Sequence, residues 1–461
     1  MTPRLGISLC LLLLFLLPAH QAVAGTVVCD ADDGGLTLPE GFCAQVVADR
    51  LGHARHLVVT RNHDVYVAIA DRDGETGGLV GLRDGTGDGR LNEQIRFGER
   101  GGTGIALESG YLYFGEDRRV LRYRLHADHL GPEDDPKVIA HDFPEQEQHS
   151  ARSLVLDGNG GLYVNVGAPS NNCQRQDRQL GSPGQVPCPE LNRGAGIWRF
   201  DIDRRGQAQR DAERIASGIR NAVAMAWNTR DETLYAAQHG RDQLGSNWPH
   251  LYDEAQNAEL PSEELLRVEP GSNFGWPYCY HDPIRDRRIL APEYGGNGET
   301  VHNCDTFPQP ELGFPAHMAP NDLLFYRGTG FPEHYRNGAF IAFHGSSDRA
   351  PLDQRGYKVA FVPTGDDGRI QNGKDWEVFA DGFAGGDTPP RMPEDARFRP
   401  MGLAQGPDGS LYISDSQVGR IWRVHYIGDT EPRSRGLRRQ AERLLERFIG
   451  RDSEPEAEVV P

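Results

Sequence analysis

The chain has 461 residues, and 49 Lys and Arg against 67 Asp and Glu give it a formal net charge of −18. That balance excludes a nucleic-acid partner, which needs a concentrated basic surface to displace counterions from phosphate. The length alone would suggest about three domains, but a unit that recurs along the chain overrides that prior.

Arg4, the apolar run Leu9–Leu17 and the small residues Ala22-Val23-Ala24 read as a secretory signal peptide over residues 1–24, cut near Gly25. The run stops at Pro18 and His20, well short of the about twenty apolar residues a membrane span requires. No integral membrane segment is therefore expected after cleavage, and the expected location is periplasmic or secreted. Of the seven cysteines, Cys10 leaves with the signal, and the remaining six fall as close pairs in sequence. Cys29 with Cys43, Cys173 with Cys188 and Cys279 with Cys304 are the expected disulfides. A zinc site is disfavoured because the chain has no CxxC.

Gly41–Asp49 reads as a lone strand, expected to pair with the last repeat and close a ring. Full units begin at Arg55 (HLVVTRNHDVYVAI), Gly102 (GTGIALESGYLYFG) and His149 (HSARSLVLDGNGGLYVNVG). Three more begin at Gly218, near Ala319 and at Phe398. Each alternates apolar and polar residues over short strands and turns on Gly, Asn or Asp. None can bury both its faces alone, so six such units stacked radially predict an all-β, six-bladed β-propeller over residues 25–428. Long loops rich in Gly, Pro and Asn separate the second and third strands of the third, fourth and fifth units, and such loops are usually functional. Two of the expected disulfides would staple these excursions. Asp84–Arg90 (DGTGDGR) lacks the distal acid of an EF-hand and reads as a hairpin turn. Residues 429–461 read as one amphipathic helix, with Leu437, Leu444, Leu445 and Phe448 at near-helical spacing, followed by a disordered acidic end.

A propeller directs the beginnings of its first strands at one axis. There the sequence places Arg55, His56, Thr103, His149, Arg152, Arg220, Asn221, Asn321, Arg397 and Arg399. Convergent arginines with a histidine form a socket for a small polyanion beside a base near neutral pH.

These residues and their surroundings carry a resemblance. HSARSLVL at His149, GIRN at Gly218–Asn221, QHGRD at Gln238–Asp242 and EPGSNFGWPYC at Glu269–Cys279 are joined by HGSSDR and GYKV at His344–Val359 and FRPMGLAQGPDG at Phe398–Gly409. In order and position they resemble the soluble quinoprotein glucose/sorbosone dehydrogenase family, in its sorbosone-dehydrogenase-like and pyranose-dehydrogenase-like branches. The resemblance implies a propeller that binds pyrroloquinoline quinone (PQQ) and calcium and oxidises an aldose or related aldehyde. It further implies His149 as general base and Arg220 with Asn221 as the pair that polarises the quinone carbonyl. Arg397 and Arg399, and more loosely Arg349 and Lys358, fall at cations for the cofactor carboxylates. The carbonyls of Gly240 and Arg241 fall at the calcium, and Glu263 and Glu264 near a further calcium. Arg241 departs from the family, which has a small residue or Pro there, so its side chain could reach the metal's charge. Trp276 and Tyr278 read equally as stacking on a ligand or holding the Cys279 loop. With no CxxCH in the chain, electrons must pass to an external acceptor. Two alternatives stand beside this reading: a cofactor-free propeller that binds carbohydrate or protein, and a calcium-dependent lactonase or hydrolase, which would need an acidic cup at the axis.

Overall fold

The computed structural model describes residues 27–126, 128–371, 376–386 and 388–428. The expected signal peptide and C-terminal helix lie outside the described residues. Six sheets of at least four strands, antiparallel except where Gln207–Ala208 and Ser272–Asn273 add a short parallel outer strand, stand around one axis and make the six-bladed propeller. The innermost strands are Ala54–Val59, Gly102–Glu108, Leu154–Leu156, Ala224–Asn228, Pro320–Phe325 and Pro400–Gln405, one to a blade. Each sheet then steps outward through hairpins whose turns the sequence dictates. In the third blade Asp157 Oδ1 accepts the backbone N–H of Asn159 and of Gly161, each at 2.8 Å. Gly158 and Gly160 supply the left-handed backbone, at φ 74° and 88°, that this turn needs.

The apolar positions of the alternating strands meet between blades. Tyr113 and Val120 of the second blade share one buried cluster with Leu162, Val164 and Trp198 of the third. Each blade is therefore stable only against its neighbours. The ring closes as expected: Phe42–Ala48 becomes the outer strand of the last blade, with Phe42 opposite Tyr426 and Val46 opposite Trp422. Phe42 is 1% exposed and meets the rings of Phe331, Phe379 and Tyr426 at centroid distances of 4.8, 5.1 and 5.0 Å. The closure thus also joins the last blade to the fifth.

All three cysteine pairs form as expected. Cys173–Cys188 staples the excursion between the second and third strands of the third blade. Cys279 and Cys304 instead lie between the third strand of the fourth blade, Glu263–Val268, and its fourth, Leu312–Phe314. That excursion carries its own hairpin, Cys279–Asp282 with Arg287–Leu290. DGTGDGR joins the third and fourth strands of the first blade, and Asp84 accepts the amides of Thr86, Gly87 and Gly89. Among the described residues no helix is long and apolar enough to cross a membrane.

Removing the ring of Phe42 leaves a cavity at the closure, and Phe42→Ala should cost about 3–5 kcal/mol in denaturant unfolding. A loss below about 1 kcal/mol would show that the closing strand does not hold the ring.

Candidate active site

The innermost strands all begin on one face, and the sequence-predicted polar residues gather at that end of the axis. His149 ends the segment that leads into the third blade. Its Nδ1 lies 2.7 Å from the carbonyl of Ala168, so Nδ1 carries the proton and Nε2 keeps its lone pair. Burial, reinforced by the charge of Arg220, lowers the imidazole from 6.5 to about 3. Gly167 is required beside it, because a Cβ there would stand 2.6 Å from the Cβ of His149.

Arg220 is buried and fully engaged. Its guanidinium donates to both oxygens of Asn171, to the carbonyl of Gly240 at 2.9 Å and to Asp242 at 2.6 Å. Its own carbonyl accepts the N–H of Ala168, so one short backbone stretch links the histidine to the arginine. Asn221 accepts from Asn165 at 3.1 Å. Burial alone would raise Asp242, yet Arg220 and Arg178 outweigh it and hold that carboxylate well below its usual range.

His239 stands beside Asn221, whose carbonyl accepts its N–H at 2.9 Å, and beyond it lie His344, Arg55 and Arg399. His239 Nε2 meets the carbonyl of Pro320 at 2.9 Å, and His344 Nε2 meets the hydroxyl of Ser416 at 2.6 Å. Burial lowers both, His239 to about 4. Arg399 donates to the carbonyls of His344 and Gly345 at 3.2 and 2.6 Å. Arg55 reaches only the Met401 sulfur, at 3.6 Å, and its Nε is buried without an acceptor. Burial and the nearby charge of Arg399 lower Arg55 to about 10. Among the described residues, neither Arg55 nor Arg399 has a carboxylate within ion-pairing distance, in contrast to Arg220.

The other sequence-predicted residues lie in different settings. Arg397 is exposed beside the Phe398 ring. Arg349 is turned to Glu259 and to the carbonyl of Ala258, and Lys358 to Asp381 at 3.4 Å. Arg241 does not point at its own carbonyl: its guanidinium is buried against Glu293 at 2.6 Å. Glu264 is paired with the buried Arg288 at 2.5 Å. Glu263 accepts the N–H of Gly240 and of Ala319, although burial pushes it up to about 8. Trp276 donates to the carbonyl of Asn171, and the Tyr278 hydroxyl accepts the N–H of Cys188. Both rings therefore pack the stapled loops. Among the described residues no group of three or more His, Cys, Asp or Glu could hold a metal ion.

A cavity of about 920 Å³ opens beside Gln146 and Gln148. Asp71, Glu116, Asp117, Gln146 and Gln148 line it with Pro169, and its wall carries no aromatic ring. Sequence reasoning gave no role to His239, Asp242, Asn171 or Gln146. The first two sit inside QHGRD, whose polar density was the available signal. Gln146 acts on backbone carbonyls, and Asn171 reaches Arg220 and Asp242 from a distant loop through both its side chain and its carbonyl, and neither leaves a residue pattern.

The TrAA12-like family model matches residues 36–426. A calcium structure of a Trichoderma reesei carbohydrate-active enzyme of family AA12 superposes with a TM-score of 0.69 at 19% identity, covering 85% of this chain and 97% of that one. The holo PQQ domain of pyranose dehydrogenase from Coprinopsis cinerea gives a TM-score of 0.66 at 18% identity, covering 85% and 97%. An uncharacterized protein of Borreliella burgdorferi is 28% identical over 283 residues, 61% of this chain, and the chain spans 61% of that relative's length.

The lowered histidines set the acid response of the apoprotein. The unfolded chain protonates the His149 imidazole near pH 6.5 and the folded one only near 3, so this group's contribution to stability is complete above 6.5 and declines as pH falls between those values. The expected result is a His149 resonance that stays neutral at pH 5 by NMR; a midpoint between 6 and 7 would contradict the burial.

Proposed function

The chain belongs to the TrAA12-like family, and from that premise we propose that it is an exported, PQQ-dependent dehydrogenase that oxidises an aldose or related aldehyde and passes electrons to an external acceptor. The observation that carries this reading is the uncompensated positive charge at the axis. Arg55 and Arg399 are half-buried with carbonyls and a thioether for company, and a cation drawn partly out of water without a partner is costly. A small polycarboxylate supplies the missing charge, and planar guanidinium forks match carboxylate oxygens. The residues present thus fit PQQ, with Arg399 and Arg55 at carboxylates and Arg220 with Asn221 at the reacting carbonyl. Family AA12 and pyranose dehydrogenase, as the similar structures are described, support the substrate class.

Calcium fits less fully. The proposed ligands are the carbonyls of Gly240 and Arg241. The turn of the Arg241 side chain toward Glu293 keeps its charge away, but the Gly240 carbonyl already accepts from the Arg220 guanidinium, which a metal there would have to displace. Glu263 and Glu264 are already satisfied within the protein, so the further calcium proposed there would first have to displace those bonds.

PQQ, when bound, is the two-electron acceptor of the oxidation. The chain does the rest. The sugar enters through the cavity that Gln148 lines with Glu116, Asp117, Arg118 and Arg119, where charged and amide groups meet hydroxyl groups. His149 Nε2, unprotonated because Nδ1 holds the proton against Ala168, takes the proton of the reacting hydroxyl. Its lowered pKa leaves this base unprotonated throughout the neutral range, and the carboxylates of a bound cofactor would raise its basicity. Arg220, fixed at four acceptors, presents preorganised positive charge where negative charge develops. Asp242 fixes that guanidinium and balances its charge.

His149→Ala should lower turnover about a hundredfold or more while PQQ still binds; loss of binding with normal turnover in the bound fraction would remove its role as base. Arg399→Ala should weaken PQQ retention first, read by equilibrium dialysis, and unchanged affinity would show that the carboxylate socket lies elsewhere.

A further inference from the structure

The turn that carries His149 is held by a side chain outside the set described above as reacting groups. Gln146 Nε2 lies 2.8 Å from the carbonyl oxygen of Gln148, 3.0 Å from that of His149 and 3.2 Å from that of Gly167. A primary amide has two N–H groups, so three acceptors share two protons. The amide orientation is fixed by chemistry, since the reverse would set Oε1 against three carbonyl oxygens. Oε1 itself is buried without a partner.

Those carbonyls belong to the two segments that place the imidazole. One is the turn ending at His149. The other ends at Gly167, immediately before Ala168, whose carbonyl accepts the Nδ1 proton. His149 holds a left-handed backbone at φ 55°, which a residue with a Cβ keeps only where its surroundings over-determine it. Arg152 helps from the other side, with Nη1 3.5 Å from the His149 carbonyl and Nη2 3.1 Å from that of Pro144.

The geometry points to Gln146 as a positioning residue: by donating to both segments it locks the His149 turn to the Ala168 carbonyl, and so fixes the tautomer that leaves Nε2 unprotonated. This rests on the reading of His149 as base, but the tautomer can be measured without it. Only a donor can do this work. A carboxylate of the same shape would set lone pairs against three carbonyl oxygens, and its protonation would restore one donor.

The test uses Gln146→Glu and Gln146→Leu in the full mature chain, with His149→Ala as reference. Steady-state oxidation of an aldose is followed with PQQ and calcium supplied, and the His149 tautomer is read by long-range proton–nitrogen NMR in the cofactor-free protein. At pH 8 both Gln146 variants should lose about tenfold or more in kcat, the scale of a small misplacement of a reacting group, with KM changed less than about twofold. Q146E should recover as the pH falls toward 5, and Q146L should not. The Nδ1–H tautomer should dominate in the wild type and give way to a mixture in both variants at pH 8. Retention of kcat and tautomer in both variants, with His149→Ala inactive, would overturn the positioning role and leave the base in place. If His149→Ala stays active, the reading of the base fails, and the tautomer alone decides for or against Gln146. Should Q146E fail to fold, Q146L carries the same two readouts.

Discussion

Charge buried at the propeller axis is the constraint on which the rest of the site depends. Arg220, Arg55 and Arg399 at this end of the axis are treated differently. Arg220 is neutralised by Asp242 at 2.6 Å and held by three further acceptors. Among the described residues Arg55 and Arg399 have no carboxylate within ion-pairing distance. Burial, with the charges of Arg399 and Arg55 added, depresses the neighbouring His344, and burial with the charge of Arg399 lowers Arg55. A surface patch would dissipate that repulsion in water, but a propeller axis cannot. An anion bound beside them would offset that repulsion.

The stapled loops turn this socket into a preorganised site. The Cys173–Cys188 excursion delivers Asn171 to Arg220, and Arg178 to both Gln148 and Asp242. Trp276 and Tyr278, from the neighbouring excursion, pack against the same loop. Arg241, which breaks the family pattern in sequence, is absorbed by a buried pair with Glu293 that also receives the indole N–H of Trp248. Long loops are costly to order, and here disulfides, buried ion pairs and side-chain bonds to carbonyls meet that cost together.

Much of the fold was legible because period-two patterns and Asp-Gly turns act locally. The three inner strands of each blade and the closing strand at Phe42 were all marked in this way. The fourth strands were not: Glu93–Phe97 is almost wholly exposed and Leu312–Phe314 has three residues, so neither shows a buried face. For the same reason the Cys279–Cys304 excursion was assigned to the wrong gap in its blade. At the site, the gathering of His149, Arg220, Asn221 and Arg399 followed from their equivalent positions before first strands. The partners of Arg349, Lys358 and Glu264 could not be foreseen, since Glu259, Asp381 and Arg288 are brought to them by tertiary packing. Nor could the grip of Gln146 on three carbonyls, which leaves no mark on the sequence around it.

The central claim is that the axis is a socket for a quinone polycarboxylate. Its most direct test is a titration of the purified mature protein with PQQ in the presence of calcium, following cofactor absorbance and then its bleaching on addition of a panel of aldoses. Saturable binding, one cofactor per chain, with reduction by at least one sugar is the predicted result. A folded protein that binds no PQQ with calcium present would contradict the account and leave the unpaired arginines to another anion.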